Sequence, residues 1–261
     1  MTDKILTEQS GDIARIIFNQ PEKRNAVSLE MWEAVEAALI RFQADASVRI
    51  LILSGAGGKA FVSGADISKF ESERASEEGV AHYNAATKRV YDLVEAFPKP
   101  TIAQIDGFCI GGGVALALCC DLRICGEGSN FAVPAAKLGL GYGFAGIKRL
   151  VDVVGPSFAK EIFFTARRFT AEEARVMGLV NRVVPDDQVA ETALETARMI
   201  AENAPMTVGS VKYIVAQTVA PESARDLTGC EVRVKACFDS QDYIEGRRAF
   251  MEKRKPNFVG A

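Results

Sequence analysis

Three consecutive glycines, Gly111, Gly112 and Gly113, mark the part of the chain whose residue types best suit chemistry. A β-type run at residues 101–105 precedes them, and the apolar residues 114–120 that follow are typical of a buried helix. Glycines at a helix start let a ligand approach the backbone closely, and the unpartnered N–H groups there attract negative charge. The pattern predicts a site for a phosphate or a developing oxyanion. A tight packing corner between strand and helix is the alternative, because it needs the same glycines.

The composition is that of an ordinary globular protein. The chain has 261 residues, of which 48% are apolar and 25% charged, and its formal net charge is −3. Acidic and basic residues are interspersed, which argues against a dedicated surface for nucleic acid or lipid. No apolar run approaches the roughly 20 residues that a membrane-spanning helix needs, and residues 1–10 are too polar for a signal peptide. We therefore expect a cytoplasmic protein with no nucleic-acid or membrane partner.

The cysteine and histidine content limits the possible catalytic classes. None of the six cysteines belongs to a C-x-x-C pair, and most lie in or beside apolar runs. Reduced core thiols are therefore expected rather than disulfides or metal ligands. The single histidine, His82, lies in a polar helical stretch. Neither a Ser-His-Asp triad nor a metal centre is expected.

Strand-like and helical patterns alternate along the first 195 residues. Apolar runs at residues 13–18, 48–53, 122–125 and 179–184 are predicted as strands, and residues 78–97 as a long helix. Residues 131–146 are rich in glycine and small side chains, which suggests the lining of a site rather than a regular element. From residue 186 onward the pattern is helical, with breaks near Pro205 and Pro221. These patterns predict an α/β core with parallel strands, followed by a helical appendage.

Local signals predict several helix ends. Ser28 is placed to cap the helix that follows it, and Thr170 with Glu173 forms a capping-box pattern. Gly178 stands where a helix beginning after Thr170 would end. Gly155 and Pro156 are predicted to separate two helices, at residues 148–154 and 157–165.

Several motifs together are similar to those of one enzyme family. They are A-F-V-S-G-A-D-I at residues 60–67, I-D-G-F-C-I-G-G-G at 105–113, N-Q-P-E-K-R-N-A-V-S at 19–28, the stretch 164–184 and the tail A-F-M-E-K-R-K-P-N-F at 249–258. On these motifs the chain resembles the crotonase superfamily, also called the enoyl-CoA hydratase/isomerase family. The resemblance implies an α/β crotonase-like spiral of ββα units with an acyl-CoA site at residues 1–195. It also implies a C-terminal helical region at 196–261 that builds trimers, which usually pair into hexamers.

The resemblance implies a coenzyme A thioester as substrate, with coenzyme A as part of that substrate and no separate cofactor. By this likeness the backbone N–H groups of Ala65 and Gly112 form an oxyanion hole around the thioester carbonyl. Such donors stabilise an enolate more than the neutral ground state, and one donor contributes about 3–4 kcal/mol. The residues implied in substrate binding are Arg24 near the phosphates, Ala65, Asp66 and Ile67 near the adenine, Gly111 at the glycine turn, and Phe250 and Lys253 from a neighbouring subunit. Without the resemblance, Lys253 would be interpreted as part of a solvated basic tail.

The chain departs from the hydratase pattern at two positions. Typical hydratases carry one glutamate two residues past the glycine triplet, where this chain has Ala115. They carry another after a loop proline, where Ala135 follows Pro134. Hydration needs a general base and a general acid within hydrogen-bond reach of the reacting atoms, and alanine provides neither. We therefore expect that this chain does not hydrate by the usual two-glutamate route.

Tyr142, in the glycine-rich stretch 138–147, is the candidate to replace the missing groups. It resembles the position of an active-site tyrosine in methylmalonyl-CoA decarboxylases of the superfamily, although those relatives have histidine where this chain has Ala65. Decarboxylation needs no base to form the enolate, so a neutral pocket with one phenol suits it. A packing role for Tyr142 is the alternative. The directions of Lys137 and Lys148 are not determined by the sequence.

The expected function is that of a lyase or isomerase of the enoyl-CoA hydratase family, in fatty acid metabolism. It would act on an acyl-CoA thioester through an enolate held by Ala65 and Gly112, with Tyr142 as a further catalytic residue. Two alternatives remain open. One is a methylmalonyl-CoA-type decarboxylase that uses Tyr142, and the other is a non-catalytic acyl-CoA-binding subunit.

Overall fold

Two β-sheets carry the fold, and a computed structural model describes them within residues 2–69 and 76–261. The strands in chain order are β1 (Ile5–Ser10), β2 (Ile13–Phe18), β3 (Ile50–Gly55), β4 (Ala60–Val62), β5 (Thr101–Ile105), β6 (Phe108–Ile110), β7 (Leu122–Gly126), β8 (Asn130–Ala132), β9 (Phe169–Thr170) and β10 (Arg182–Val184). The main sheet has the order β1-β2-β3-β5-β7-β10, and the smaller sheet has the order β4-β6-β8-β9. Only β1–β2 and β8–β9 pair antiparallel among the described strands.

The helices follow the strands in a regular order. They are α1 (Leu29–Ala44), α2 (Glu77–Glu95), α3 (Gly112–Cys119), α4 (Phe144–Thr165), α5 (Ala171–Val176), α6 (Val189–Ala201), α7 (Pro205–Val219), α8 (Leu227–Asp239) and α9 (Gln241–Glu252). In the described part of the chain, two strands and then a helix recur from β1–β2–α1 through β7–β8–α4. This repetition confirms the expected ββα units. Each unit places its first strand in the main sheet and, after the first unit, its second strand in the smaller one.

The central strands of the main sheet are buried on both faces. In β3, Leu51 and Leu53 pack into the larger core, whereas Ile50 and Ile52 pack under α6. Successive side chains of a strand point to opposite faces, so a strand covered on both sides is apolar at every position. The apolar run in the sequence therefore predicted its burial, although the observed strand begins and ends two residues later than 48–53.

Most of the capping residues predicted from the sequence lie at observed helix ends and adopt the predicted geometry. Thr170 and Glu173 form the predicted capping box, and Gly178 has the left-handed φ of 77° typical of a residue just past a helix end. Ser28 is the residue before α1, but its hydroxyl makes no capping bond and finds no other partner among the described residues. The predicted capping bond from Ser28 is therefore wrong.

Residues 131–165 confirm one expectation and correct another. Gly155, with φ 75° and ψ 165°, interrupts helical geometry inside α4, which confirms the predicted separation into two helical parts. The expected absence of regular structure in 131–146 is wrong for most of the stretch, since its first two residues end β8 and its last three, from Phe144, begin α4. A short 3-10 helix, Pro134–Leu138, follows β8, because proline suits a first helical turn and Gly139 closes it with a left-handed φ of 62°.

All six cysteines are free thiols. Cys109, Cys119, Cys120 and Cys125 are buried in the core, where burial raises their pKa values, to about 12 for Cys120 and Cys125. A neutral buried thiol behaves as a small apolar group, so the predicted reduced core thiols are confirmed.

The C-terminal helices are attached to the core by polar contacts. Lys212 of α7 pairs with Asp121 at 2.7 Å, and Arg49 donates to the carbonyl oxygens of Ala201 and Phe258. The boundary expected between residues 195 and 196 falls inside α6, which packs on the main sheet. Within the described ranges, no helix combines the length and apolarity needed to cross a bilayer.

Gly113 joins α3 to β4 so closely that no side chain fits between them. A Cβ atom on Gly113 would lie 2.0 Å from the carbonyl oxygen of Val62. We expect Gly113→Ala to lower the free energy of unfolding by about 3 kcal/mol, because backbone on both sides must move. Gly141→Ala is the control, since nothing lies within 4 Å of its Cβ position, and it should change stability by about 1 kcal/mol or less. Urea denaturation measures both, and equal stabilities would contradict the close approach.

Candidate active site

The glycine triplet forms the start of α3, as the sequence predicts. Gly111 precedes the helix with φ 56° and ψ −112°, a conformation that residues with a side chain rarely adopt. Its N–H donates to the carbonyl oxygen of Ala132 at 2.8 Å, which aligns the turn with β8. Gly112 is the first residue of the helix, so its N–H has no partner within α3 and points out of the helix start.

Ala65 presents its N–H group on the edge that faces away from Val27. The N–H of Val27 donates to Gly64 O at 2.8 Å, and Val27 O accepts from the N–H of Asp66 at 3.0 Å. In this parallel bridge the residue between the two bonds directs its own N–H to the opposite edge. β6 lies on that opposite edge of β4, and β6 leads directly into the glycine turn.

The loops that carry Ala65 and Gly112 lie side by side. The Cα atom of Gly64 is 3.9 Å from the position that a Cβ on Gly112 would occupy. Neither the N–H of Ala65 nor that of Gly112 has a hydrogen-bond acceptor among the described residues. The tertiary structure thus brings together two backbone donors that lie 47 positions apart in the sequence. Such a pair can hold one oxygen atom that carries negative charge.

Asp66 is buried, and its carboxylate is hydrogen-bonded to neighbouring protein groups. Its carboxylate accepts from the Ser68 hydroxyl at 2.6 Å, the Ser68 N–H at 3.0 Å and Lys23 Nζ at 2.9 Å. Burial acts to raise the pKa of Asp66, but the bonds from Ser68 and Lys23 outweigh it and hold that pKa below its usual value. Asp66 therefore orders the loop that carries Ala65, and its oxygen atoms are occupied.

The side chains described on α3 and at Ala135 of the 3-10 helix are uncharged. Ala115 is half-buried on α3 and Ala135 is buried in the 3-10 helix. Cys119, one turn beyond Ala115, directs its thiol to Ala115 O at 3.2 Å, and burial raises the pKa of this thiol. The groups in this part of the site are therefore uncharged near neutral pH.

Tyr142 lies between the 3-10 helix and α4, packs against the core and has an available hydroxyl. Its ring packs edge-on against Phe163 at 4.9 Å, which fixes the orientation of the ring. Its hydroxyl has no hydrogen-bond partner among the described residues, and burial raises the pKa of Tyr142. A neutral, partly buried phenol without a protein partner can donate a hydrogen bond to a ligand.

The charged groups closest to this region are paired with each other. Arg149 bonds to Glu95 at 2.6 Å and to Asp92 at 3.2 Å, and these carboxylates keep its pKa raised in spite of burial. Lys148 pairs with Asp152 at 2.5 Å and also donates to Val219 O, so it is engaged on the surface. Lys137 is exposed.

The remaining predicted site residues lie at different places. Arg24, in a left-handed conformation, stacks over the Phe108 ring at 4.7 Å. Ile67 begins a 3-10 turn, and its side chain lies outside the described part of the structure. Phe250 is 82% exposed on α9, and Lys253 ends that helix in a left-handed conformation. Within one chain, no described contact joins Phe250 or Lys253 to the loops of Ala65 and Gly112.

Tyr91 belongs to the site but was not predicted from the sequence. The Tyr91 hydroxyl donates to Gly112 O at 3.0 Å, and burial raises the pKa of Tyr91 well above its usual value. The sequence placed Tyr91 in a helix but contained no signal for its direction. Its contact with the glycine turn depends on the packing of α2 against α3.

The fold and the site together define an α/β protein of repeated ββα units with two convergent backbone donors. Residues 8–261 match the family model for Enoyl-CoA hydratase/isomerase. The chain is 34% identical over 257 residues to a crotonyl-CoA hydratase of Syntrophomonas wolfei, covering 98% of each chain. It is 34% identical over 265 residues to a carnitinyl-CoA dehydratase of Salmonella arizonae, covering 100% of both. The chain therefore belongs to the enoyl-CoA hydratase/isomerase family.

Solved structures give the same result for the fold. An enoyl-CoA hydratase/carnithine racemase from Magnetospirillum magneticum superposes with a TM-score of 0.92 at 37% identity, covering 100% of this chain and 97% of that one. An enoyl-CoA hydratase from Bacillus anthracis superposes with a TM-score of 0.90 at 33% identity, covering 99% and 100%. These likenesses confirm the expected crotonase-like fold.

Asp66 makes stability depend on pH in a defined direction. Because the folded-state pKa lies below the ordinary value of 3.8, the ionised carboxylate stabilises the fold fully above that pH. This contribution is lost as the pH falls through the folded-state pKa. We expect Asp66→Asn to cost about 2 kcal/mol at pH 7, and the difference from wild type to shrink below pH 3.8.

Denaturant unfolding across this pH range measures the effect. Asp187→Asn is the matched control, because Asp187 is exposed and no ion pair is described for it. A loss of stability in Asp66→Asn that is the same at low and neutral pH would contradict an ionised, hydrogen-bonded Asp66.

Proposed function

We propose that this protein acts on an acyl-CoA thioester by stabilising an enolate with the N–H groups of Ala65 and Gly112. The observation that carries the proposal is the convergence of two unpartnered backbone donors, one at a helix start. When a bond next to a thioester carbonyl breaks, the electron pair moves onto the carbonyl oxygen. Preorganised N–H groups stabilise that charge without reorganising during the reaction.

We propose that the nucleotide end of coenzyme A lies along the loop of Ala65, Asp66 and Ile67, with Arg24 near its phosphates. The ordered Asp66 network supports a fixed backbone in this loop, and Arg24 is exposed with no carboxylate partner among the described residues. Gly111 leaves room at the turn, where nothing lies within 4 Å of its Cβ position. Coenzyme A is then part of the substrate, and no further cofactor is needed for the chemistry.

The reaction proposed is not hydration by two glutamates. Ala115 and Ala135 stand where the likeness to hydratases would put the two carboxylates. The carboxylates described nearby are engaged, Asp66 with Ser68 and Lys23, and Glu95 with Arg149. A water molecule at this site would have no free carboxylate among the described residues to take its proton.

Decarboxylation of a methylmalonyl-CoA-type thioester is the alternative that the site favours. The C–C bond to the carboxylate breaks, CO2 leaves, and the electron pair forms the enolate held by Ala65 and Gly112. No base is required. A pocket lined by uncharged side chains favours the loss of a charged carboxylate. Tyr142 would donate a hydrogen bond inside this pocket, and its raised pKa supports this role because it keeps the phenol protonated. A non-catalytic acyl-CoA-binding subunit is a further alternative, supported by the same lack of a free base among the described residues.

Mass spectrometry of the products from crotonyl-CoA and methylmalonyl-CoA distinguishes these activities. We expect CO2 loss from methylmalonyl-CoA and no hydration of crotonyl-CoA at an ordinary enzyme rate. Tyr142→Phe should slow the reaction by about tenfold or more, because it removes only the hydroxyl of the phenol.

Tyr243→Phe is the control for this variant. Tyr243 packs against Phe238 on the C-terminal helices, and no hydrogen bond of its hydroxyl is described, so its loss should leave the rate unchanged. Efficient hydration of crotonyl-CoA would overturn the argument from Ala115 and Ala135. Binding without turnover of either thioester would favour the binding subunit.

We propose that the chain assembles as a homotrimer, or as a pair of trimers, through its C-terminal helices. Val211, Val215 and Val219 form a stripe on α7 at four-residue spacing, each more than half exposed. Further large apolar side chains are exposed on α8 and α9, namely Leu227, Val232, Phe238, Ile244, Phe250 and Met251. An apolar surface of this kind is typical of a subunit interface. Phe250 and Lys253 would then reach the site of a neighbouring subunit.

Sedimentation velocity tests the assembly. We expect wild type to have three or six times the mass of one chain, and Val215→Glu to shift it toward the monomer, because a charge would be buried without a partner. Ile40→Glu is the control, since Ile40 is 53% exposed on α1, away from the C-terminal helices. A monomeric wild type at micromolar concentration would contradict the proposal.

A further inference from the structure

Two tyrosines on one helix donate hydrogen bonds to the backbone near the two N–H groups of the proposed oxyanion hole. Tyr83 and Tyr91 both lie on α2, eight residues or slightly more than two turns apart. The hydroxyl of Tyr83 donates to Val27 O at 3.1 Å, and the hydroxyl of Tyr91 donates to Gly112 O at 3.0 Å. One helix is therefore bonded to the backbone beside Ala65 and to the residue that carries the second donor.

Trp32 of α1 joins the two tyrosines. Its Nε1 donates to the Tyr83 hydroxyl at 3.0 Å, and its ring meets the Tyr91 ring edge-on at 5.6 Å. Trp32 and Tyr83 are buried, with 2% and 5% exposure. We call Trp32, Tyr83 and Tyr91 the aromatic bracket.

The aromatic bracket acts on the donors through the backbone. Val27 sets the position of Ala65, because its N–H and its carbonyl bond on either side of that residue. The carbonyl of Val27 that accepts from Tyr83 is the same one that accepts from the N–H of Asp66. At the other end, the Tyr91 hydroxyl lies 3.2 Å from the Cβ position of Gly112 and restrains the first residue of α3.

We propose that the aromatic bracket sets the distance and direction between the N–H groups of Ala65 and Gly112. The three aromatic residues are positioning residues that act through the backbone of Val27 and Gly112. Small displacements of such donors weaken the stabilisation of a developing oxyanion, because the bonds must meet one oxygen atom. The inference rests on the proposed oxyanion role of Ala65 and Gly112.

The carbonyl stretch of a bound thioester measures this positioning without any reaction. Butyryl-CoA labelled with 13C at the thioester carbonyl has neither a double bond nor a carboxylate, so it serves as an unreactive probe for difference infrared spectroscopy. In wild type we expect binding to lower the stretching frequency, because the two N–H groups polarise the carbonyl. Tyr91→Phe should lose about half of that shift, while the dissociation constant from calorimetry changes about threefold or less.

Two further variants make the test specific. Tyr213→Phe is the matched control, because it also removes a bonded phenol hydroxyl, one that lies 2.6 Å from Asp226 on the C-terminal helices. It should keep the full shift. Tyr83→Phe should reduce the shift as Tyr91→Phe does, and its melting temperature must be measured too, since it leaves Trp32 Nε1 without its acceptor.

The possible results distinguish the positioning role of the aromatic bracket from the oxyanion role of Ala65 and Gly112. A full shift in Tyr91→Phe, with a clear shift in wild type, would overturn the role of the aromatic bracket and leave the oxyanion hole standing. Bound butyryl-CoA with no shift in wild type would overturn both. Loss of binding together with a lowered melting temperature in Tyr91→Phe would show a purely structural role and overturn the positioning.

Discussion

The contact between the start of α3 and the end of β4 is the constraint on which the site depends. Gly113 lies so close to Val62 that any side chain on Gly113 would clash with the carbonyl oxygen of Val62. This approach brings the first turn of α3 next to the loop that follows β4. Without it, Gly112 and Ala65 would be separated by the width of a side chain, and their N–H groups would not meet one atom. The glycine triplet therefore matters first for packing, and in the proposed function it matters for chemistry as a result.

The electrostatics of the site follow from the same packing. Ala115, Ala135, Cys119 and Tyr142 are neutral, and burial keeps the thiol and the phenol protonated. The charged groups at the margin are paired, Arg149 with Glu95 and Asp92, and Lys88 with Asp92. A site of this kind stabilises charge that develops on a ligand oxygen, because the local dielectric is low and no unpaired anion lies among the described residues nearby. The same neutrality disfavours reactions that begin with removal of a proton by a carboxylate.

The C-terminal region differs from the core in what it buries. Helix α6 contributes Ala193, Ala197 and Ala201 to a cluster under the main sheet, so it belongs to the core. Helices α7 to α9 bury little of their apolar surface within the chain, and Val215 on α7 is 56% exposed. The tail is bonded to the core by Arg49, which donates to Phe258 O, and to α9 by the N–H of Val259, which donates to Asp242. In the proposed assembly, contacts with neighbouring chains would add to the free energy that holds these helices in place.

The fold class, the buried strands, the capping box at Thr170 and the place of the glycine turn could all be predicted from the sequence, because they depend on local composition and short-range spacing. The family motifs extended this to the residues expected at the site. Three features required the folded chain: the N–H of Ala65 faces the glycine turn, the Tyr142 hydroxyl has no partner among the described residues, and Tyr91 bonds to Gly112. Ser28 shows the limit of local signals, since it stands at a capping position and makes no capping bond. The direction of a backbone edge or a side chain is set by contacts between segments far apart in sequence, and no local pattern encodes it.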